Sequence, residues 1–279
     1  MNIIISGASS GLGLYLSKAF LNSSYNQIFL ITSKKRTKIE LTNKIQKKKN
    51  IKIVSCDYSN FKNINQLILL IKKFFKKKKI DLLINNAGTY GEINKFTECN
   101  FKNWIKSINI NFLSHIFLIK KVIKFVNNKN GCIINITGGG AQKATKYQSA
   151  YSVSKTAMAR FTENLALELK DSGINCYGVA PGILNTGIHN NYINKLKKFK
   201  EKNELDIILK QLKNNKNNPQ KILNCITKIY KHKPRHLSGK IISAQFDNID
   251  KLINLKNISN DLFKLRRIDD FLFFSKNIV

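Results

Sequence analysis

Short apolar runs alternate with longer amphipathic segments along most of this chain. Six runs are apolar at nearly every position, which is typical of parallel strands covered on both faces. They occupy residues 2–6, 27–32, 51–55, 81–85, 132–137 and 174–179. Helical periodicity marks the segments between them, residues 12–22, 39–47, 60–77, 101–127 and 150–171. Strands that alternate with helices predict a doubly wound α/β fold, with a parallel sheet and helices on both of its faces.

The remaining part of the chain continues this pattern less regularly. Residues 187–218 are strongly basic and rich in asparagine, and we expect them to form a helical lid over a substrate site. A helix over 219–230 has proline in its first turn and leads to a last strand near 240–244, which makes about seven strands. The extension 245–279 follows. Because no linker is evident, residues 1–279 are predicted to form one domain.

The net charge of +33 comes from 49 lysine and arginine residues against 16 acidic ones. A nucleic-acid surface gathers such charge into one stripe with interleaved aromatic residues, whereas these lysines occur in every segment. We therefore expect solvated helix ends and no nucleic-acid partner, with a polyanion surface as the competing interpretation.

Five cysteines, without a C-x-x-C pair, are predicted to be buried free thiols in a reducing compartment, and we expect a cytoplasmic protein without a metal site. The first residues lack the pattern of a secretion signal. The longest apolar stretches, such as residues 64–75, are interrupted before the roughly 20 residues that a membrane-spanning helix needs. No membrane span is predicted.

A glycine turn follows the first predicted strand and precedes a helix. Its glycines are Gly7, Gly11 and Gly13, in the spacing G-x-x-x-G-x-G. Glycines let the backbone approach a phosphate closely, and a helix N-terminus offers free N–H groups and the positive end of its dipole. This position after the first strand predicts a binding site for a dinucleotide pyrophosphate.

This variant of the turn resembles that of the short-chain dehydrogenase/reductase family, in which threonine usually stands where this chain has Ser6. Further matches are the run Asn85 to Gly88 after the fourth strand, Asp57 after the third, Tyr151 with Lys155, and Pro181 with Gly182 and Thr186. The resemblance implies a Rossmann-type fold that binds a nicotinamide dinucleotide. The cofactor contacts that it implies are Gly7, Ser9, Ser10, Gly11, Leu12, Gly13, Ser33, Lys34, Asp57, Tyr58, Asn86, Ala87, Gly88, Tyr151, Lys155, Pro181, Gly182, Leu184 and Thr186.

The end of the second strand bears on the choice between NAD and NADP. NAD-binding proteins of this fold usually have an acidic residue there for the ribose hydroxyls. This chain has Ser33 and Lys34, followed by further basic residues, and no carboxylate. Positive charge favours the 2′-phosphate, so NADP(H) is expected, with NAD(H) as the alternative.

Tyr151 and Lys155 are the candidate acid–base pair. They lie four residues apart and so share one helix face, where an ammonium stabilises tyrosinate and lowers the pKa of the phenol. In the resemblance, Tyr151 is the acid or base, and Lys155 also holds the nicotinamide ribose. The family's asparagine, which holds a water that relays protons, corresponds to Asn111, with Asn109 as the competing position.

One expected residue is missing. The resemblance implies a serine hydroxyl that binds the substrate carbonyl thirteen residues before Tyr151, and that position is Gly138. Thr137 is the candidate to supply this hydroxyl, because the following glycines can let the strand end shift. Ser149 is a more remote choice.

The resemblance implies an oxidoreductase that transfers hydride between the nicotinamide and a carbonyl or secondary alcohol, and a homodimer or homotetramer. A non-catalytic, cofactor-binding regulator of the same fold is the alternative. The run 137–141, the segment 242–247 and the tail 265–268 resemble family members linked to surface-polysaccharide synthesis. A sugar or nucleotide-sugar carbonyl is therefore expected, with 3-oxoacyl thioesters as the competing class. The basic lid favours an anionic substrate.

Overall fold

The computed structural model describes residues 1–22, 27–33, 49–141, 143–213, 218–256, 258–259 and 262–265. Seven strands lie within them: β1 Asn2–Ser6, β2 Gln27–Thr32, β3 Ile51–Ser55, β4 Leu82–Asn85, β5 Cys132–Ile136, β6 Asn175–Ala180 and β7 Ile241–Ser243. They form one sheet in the order β3-β2-β1-β4-β5-β6-β7, and every neighbouring pair is parallel. This confirms the predicted doubly wound fold. The first three predicted strands have the observed bounds, and the later ones differ at their ends by one residue.

The helices connect these strands: α1 Gly11–Leu21, α2 Phe61–Phe75, α3 Phe101–Ile108, α4 Ser114–Val122, α5 Ser149–Glu168, α6 Asn190–Lys198, α7 Lys202–Lys213, α8 Pro219–His232 and α9 Ile249–Asn254. The predicted helix over 39–47 lies outside the described residues. Because strand order runs outward in both directions from the pair β1 and β4, a crevice opens at their carboxyl ends.

The central strands are buried on both faces because successive side chains point to opposite sides of the sheet. In β1, Ile3 and Ile5 belong to one hydrophobic cluster with residues of α1 and α8, whereas Ile4 belongs to the other with residues of α2 and α4. The edge strand β3 departs from the predicted continuous burial, since all five of its residues are at least partly exposed. The two clusters pack helices against both faces of the sheet, and the crevice lies at the carboxyl edge of that sheet.

The long helix predicted over 101–127 is interrupted, which corrects that expectation. A π-helical turn, Asn109–Leu113, separates α3 from α4, and a 3-10 turn, Ile123–Phe125, follows α4. Asn111 lies in this turn, and its side-chain amide accepts a hydrogen bond from the N–H of Thr89 and donates one to the carbonyl oxygen of Thr89. A π turn inserts an extra residue and is common at functional sites, and periodicity alone does not reveal it.

The predicted lid contains the two helices α6 and α7. They pack through Tyr192, Leu196 and Ile208. Residues 187–189 precede the first helix, residues 199–201 separate the two, and residues 214–217 lie outside the described part of the chain. Most of the described residues of this segment are thus helical, and its role as a lid stays a prediction.

Two bulk expectations can be compared with the described residues. All five cysteines are free thiols; four are buried, whereas Cys99 is partly exposed. None of the helices described is long and apolar enough to cross a membrane.

Candidate active site

The turn between β1 and α1 has room only for glycine at its critical positions. A Cβ on Gly13 would lie 2.1 Å from the carbonyl oxygen of Gly7, and one on Gly7 would lie 2.8 Å from the Cα of Ala87. Gly7 also has φ +67° and Gly11 has φ +52°, in the left-handed region. The side chain of Ser10, at the N-cap of α1, makes no capping hydrogen bond. The turn is therefore a close-packed cradle beside a helix N-terminus.

Ser6 joins this turn to the end of β4. Its hydroxyl oxygen accepts hydrogen bonds from the backbone N–H groups of Asn86 at 2.9 Å and Ala87 at 3.0 Å. The side-chain amide of Asn86 donates to the carbonyl oxygen of Ser6 at 3.0 Å. Ser6 is fully buried, so these bonds hold two loops of the crevice together without competition from water.

The segment after β6 closes the other side of the glycine turn. A Cβ on Gly11 would lie 3.1 Å from the Cβ of Thr186, so these two predicted cofactor contacts face each other. Leu12 and Leu184 are buried in the same hydrophobic cluster. Pro181 and Gly182 begin this segment, and Gly182 has φ +73°. The structure thus brings the predicted pyrophosphate turn and the segment around Thr186 together.

The predicted adenosine side is more spread out. Ser33 is exposed after β2, and Lys34 lies outside the described residues. The carboxylate of Asp57 accepts hydrogen bonds from the backbone N–H and hydroxyl of Ser59, which fixes the turn after β3. The Tyr58 ring is buried and packs edge-on against His115, with 5.3 Å between the ring centres. Ser9 is buried in the glycine turn.

These residues fit a nicotinamide dinucleotide. The close-packed glycine turn leaves no room for side chains at Gly7 and Gly13, and the Ser10 side chain does not cap the N–H groups at the start of α1, which suits an anionic pyrophosphate. When bound, the nicotinamide supplies or accepts a hydride.

Gly88, Asn111 and Lys155 converge at the far end of the crevice. A Cβ on Gly88 would lie 3.3 Å from Oδ1 of Asn111 and 3.7 Å from Nζ of Lys155. Asn111 is fully buried; its Nδ2 donates to the carbonyl of Thr89 and its Oδ1 accepts from the N–H of Thr89, both at 2.8 Å. The π turn therefore delivers Asn111 to the lysine, whereas the competing Asn109 lies only at the start of that turn.

Tyr151 and Lys155 lie on one face of α5, as predicted, with Nζ of Lys155 5.8 Å from the centre of the Tyr151 ring. The pKa values run in a direction that differs from the expectation. Burial raises the pKa of Tyr151 to about 12 and lowers that of Lys155 to about 8. Desolvation outweighs the effect of the ammonium on the phenol at this distance. A neutral buried phenol is a proton donor, which suits reduction of a carbonyl.

Gly138 stands where the resemblance implies a serine, and its position relative to Tyr151 can be measured. A Cβ on Gly138 would lie 2.8 Å from the hydroxyl oxygen of Tyr151, so this position faces the phenol directly. Thr137 is buried and its Oγ1 has no hydrogen-bond partner among the described residues, so the structure does not join it to Tyr151. Ser149 instead accepts a hydrogen bond of 2.9 Å from Nε1 of Trp104. The carbonyl-binding role of Thr137 stays a prediction.

The sequence analysis missed two residues that stand beside Tyr151. Tyr90 packs on Tyr151 with 4.6 Å between the ring centres, and its hydroxyl lies 2.7 Å from Nδ1 of His189. Tyr90 follows Gly88 by two residues, and that proximity was the available signal. His189 lies in the lid, where the sequence offers no motif.

Comparison with known proteins identifies similar chains. A family model described as short chain dehydrogenase matches residues 1–197. A 3-oxoacyl-[acyl-carrier-protein] reductase of Buchnera aphidicola subsp. Baizongia pistaciae is 34% identical over 197 residues, which cover 69% of this chain and 77% of that protein. An NADP-dependent 3-hydroxy acid dehydrogenase of Schizosaccharomyces pombe is 31% identical over 189 residues, 66% of this chain and 71% of that protein. The solved structure of 4-hydroxyisoleucine dehydrogenase with NADH and succinate has a TM-score of 0.70 and 25% identity, over 86% of this chain and 96% of that one.

Proposed function

Because the chain belongs to the short-chain dehydrogenase family and is an oxidoreductase of that class, we propose that it reduces a carbonyl group with NADP(H), and that Tyr151 is the proton donor. The observation that carries this proposal is the convergence of Asn111 and Lys155 on Gly88. It brings together three separate motifs at the end of the crevice that begins at the glycine turn. Burying the ammonium group of a lysine is costly, so chance packing does not explain why Lys155 is buried there.

The residues of this chain have distinct tasks in the proposed reaction. The buried phenol of Tyr151 donates its proton to the substrate oxygen as hydride reaches the carbon. Lys155 lies close enough to Tyr151 to stabilise the tyrosinate that results. Asn111 holds the loop of Thr89 and, with a water, relays protons to this pair. The glycine turn and the segment around Thr186 bind the pyrophosphate.

For the substrate we propose a 3-oxoacyl compound, the class named by the similar 3-oxoacyl-[acyl-carrier-protein] reductase. The similar 3-hydroxy acid dehydrogenase supports it, because oxidation of a 3-hydroxy acid gives a 3-oxo acid. The basic lid supports an anionic substrate. A cavity of about 380 Å³ lies beside it, lined by Gly91, Glu92, Ile93, Asn191, Asn194, Lys195 and Lys198. Two of these are lysines of α6, which suit an acidic group remote from the carbonyl.

A sugar or nucleotide-sugar carbonyl, as in surface-polysaccharide synthesis, is the second candidate substrate. The same cavity favours it, because Glu92, Asn191 and Asn194 offer donors and acceptors for hydroxyl groups. Neither substrate class requires a metal, and the described residues contain no cluster of metal-ligating side chains.

The cofactor preference for NADP(H) rests on Ser33, Lys34 and the absence of a carboxylate at the end of β2. The NADP-dependent relative supports it. The free cysteines further support a reducing compartment, and we place the enzyme in the cytoplasm. Residues 1–279 are proposed to act as one domain, with 187–218 as its lid and 245–279 as its extension.

We also propose that the chain forms a homodimer or homotetramer through α3 and α5. Large apolar side chains are exposed on these helices: Phe101, Ile105 and Val153. A second copy would cover them. Light scattering should give at least a dimer, and Phe101→Glu combined with Val153→Glu should yield the monomer; a monomeric parent protein would contradict the proposal.

The test of the function is turnover of NADPH with a panel of carbonyl compounds that includes 3-oxoacyl thioesters and nucleotide-sugar ketones. Tyr151→Phe should abolish turnover. The variant should still bind NADPH, which is measured as a quench or shift of the NADPH fluorescence. Tyr15→Phe, which removes the hydroxyl of an outward tyrosine on α1, is the matched control. Turnover that survives Tyr151→Phe would overturn the proposal. NADPH binding without turnover of any compound would favour the non-catalytic regulator instead.

A further inference from the structure

Tyr151 has to hold its hydroxyl in one place for proton transfer, and position 138 has no side chain to help. A Cβ on Gly138 would already lie 2.8 Å from the Tyr151 hydroxyl oxygen. A serine would therefore need the phenol to move. The placement of Tyr151 in this chain must depend on contacts from another direction.

Tyr90 supplies such a contact. Its ring centre lies 4.6 Å from that of Tyr151, and the two rings are inclined by 56°. Tyr90 is itself buried. Two aromatic rings at this separation attract each other beyond the effect of the area that they bury. Tyr90 therefore restricts how the Tyr151 ring can tilt.

Tyr90 is in turn held from the lid. Its hydroxyl lies 2.7 Å from Nδ1 of His189, the N-cap residue of α6, and burial lowers the pKa of His189 to about 4. The imidazole is thus neutral near pH 7. The His189 ring also interacts with the backbone of Leu184, and the Tyr90 hydroxyl interacts with the side chain of Gln148.

These interactions connect three parts of the molecule around Tyr90. Gln148 is the N-cap residue of α5, the helix that carries Tyr151. Leu184 lies in the segment proposed to face the cofactor, and His189 starts the lid. The hydrogen bond to His189 and the ring contacts to Tyr151, His189 and Tyr192 leave Tyr90 little freedom.

We propose that Tyr90, anchored by His189, is a positioning residue that holds the Tyr151 phenol in its reactive orientation and compensates for glycine at position 138. This inference rests on the proposed function, because it assigns Tyr151 as the proton donor. It further implies that the lid contributes to the chemical step through His189 as well as covering the substrate.

Steady-state kinetics with NADPH test the proposal. Tyr90→Leu removes the ring and should lower kcat by about 10–100-fold, because small displacements of a reacting group are costly. Tyr90→Phe keeps the ring and should lower kcat less. His189→Leu should resemble Tyr90→Phe, and the double variant Tyr90→Phe with His189→Leu should lose no more than either one alone, since both remove the same hydrogen bond.

The matched control is Tyr177→Phe, which removes another buried hydroxyl, bonded at 3.3 Å to the carbonyl of Pro234. It should leave kcat unchanged. A merely structural role for Tyr90 would reduce the fraction of protein that binds NADPH, whereas the proposal requires unchanged NADPH affinity and stoichiometry with a lower kcat. An unchanged kcat in Tyr90→Leu would overturn it, and so would strictly additive losses in the double variant.

A second readout does not need turnover. Carbon-13 NMR of ring-labelled tyrosine, with the Tyr151 signal assigned through Tyr151→Phe, reports how fast that ring flips. Tyr90→Leu should speed the flip relative to the parent and to Tyr177→Phe. If the parent protein turns over no carbonyl compound, the proposed function fails. The flip rate then tests by itself whether Tyr90 restrains the Tyr151 ring. An unchanged flip rate in Tyr90→Leu would overturn the inference.

Discussion

The ammonium group of Lys155 donates a hydrogen bond of 2.8 Å to the carbonyl oxygen of Ile136, the last residue of β5. The lysine thereby ties helix α5 to the end of a central strand. It is buried, and burial lowers its pKa to about 8. A charged lysine in this place destabilises the folded protein, so the stability should depend on the protonation of Lys155.

We expect the stability of the protein to rise between about pH 8 and pH 10.5 because of Lys155. The unfolded chain still holds this proton in that window whereas the folded chain has lost it, so raising the pH favours folding. A fall in pKa from 10.5 to about 8 corresponds to about 3 kcal/mol. Urea unfolding of the parent and of Lys155→Met should show that the free energy of unfolding of the parent, relative to that of the variant, rises with pH. For the control Lys52→Met, which replaces an exposed lysine, this difference in free energy of unfolding should not change with pH. A pH-independent difference for Lys155→Met would contradict burial of its charge.

Ser6→Ala should destabilise the protein by about 1–3 kcal/mol, because two buried N–H groups lose their acceptor. The loops that face the dinucleotide would separate, so NADPH affinity should fall as well. Ser6→Thr keeps the hydroxyl oxygen and is the control. Urea unfolding and fluorescence titration measure both effects, and equal behaviour of the two variants would contradict the proposed link.

Gly13→Ala should prevent tight NADPH binding and lower the free energy of unfolding. Its Cβ would lie 2.1 Å from the Gly7 carbonyl oxygen, which is backbone and cannot move aside cheaply. Gly139→Ala is a suitable control, since a Cβ there would meet no atom of the described residues within 4 Å. Normal NADPH affinity in Gly13→Ala would show that the turn is not the phosphate cradle.

Lys34→Ala should raise the KM for NADPH by about tenfold and leave the KM for NADH nearly unchanged, since a charge-assisted hydrogen bond to the 2′-phosphate is worth about 1.5–3 kcal/mol. Lys52→Ala, which removes an exposed lysine of β3, controls for the general positive charge. Equal effects on both cofactors would argue against a 2′-phosphate contact at Lys34.

Local sequence was sufficient for most of the fold. The strands β1, β2 and β3 were predicted with their observed bounds, because a short run rich in apolar residues between turns defines a strand within a few positions. The glycine turn was predictable for a similar reason: its spacing sets which backbone atoms can approach each other. Helix α5 was predictable from its periodicity, and the spacing of Tyr151 and Lys155 then placed them on one face.

The interrupted helix was not predictable in this way. The π turn at Asn109–Leu113 exists because Asn111 bonds the backbone of Thr89, which lies 22 residues away in the chain. Nothing in the local apolar pattern records a bond to so distant a partner. The pKa of Tyr151 is a similar case: helix spacing indicated a lowered value, but burial by the surrounding protein raises it.

The amino-acid order alone was enough to predict the alternating strands and helices, the glycine turn and the placement of Tyr151 and Lys155 on one helix face, because each depends on neighbours within a turn, a strand or a helix. The contact of Tyr90 with Tyr151, its link to His189 in the lid and the position of Gly138 against the phenol emerged only on folding. Those relationships join segments that are far apart in the chain, and the packing of helices on the sheet decides which of them meet.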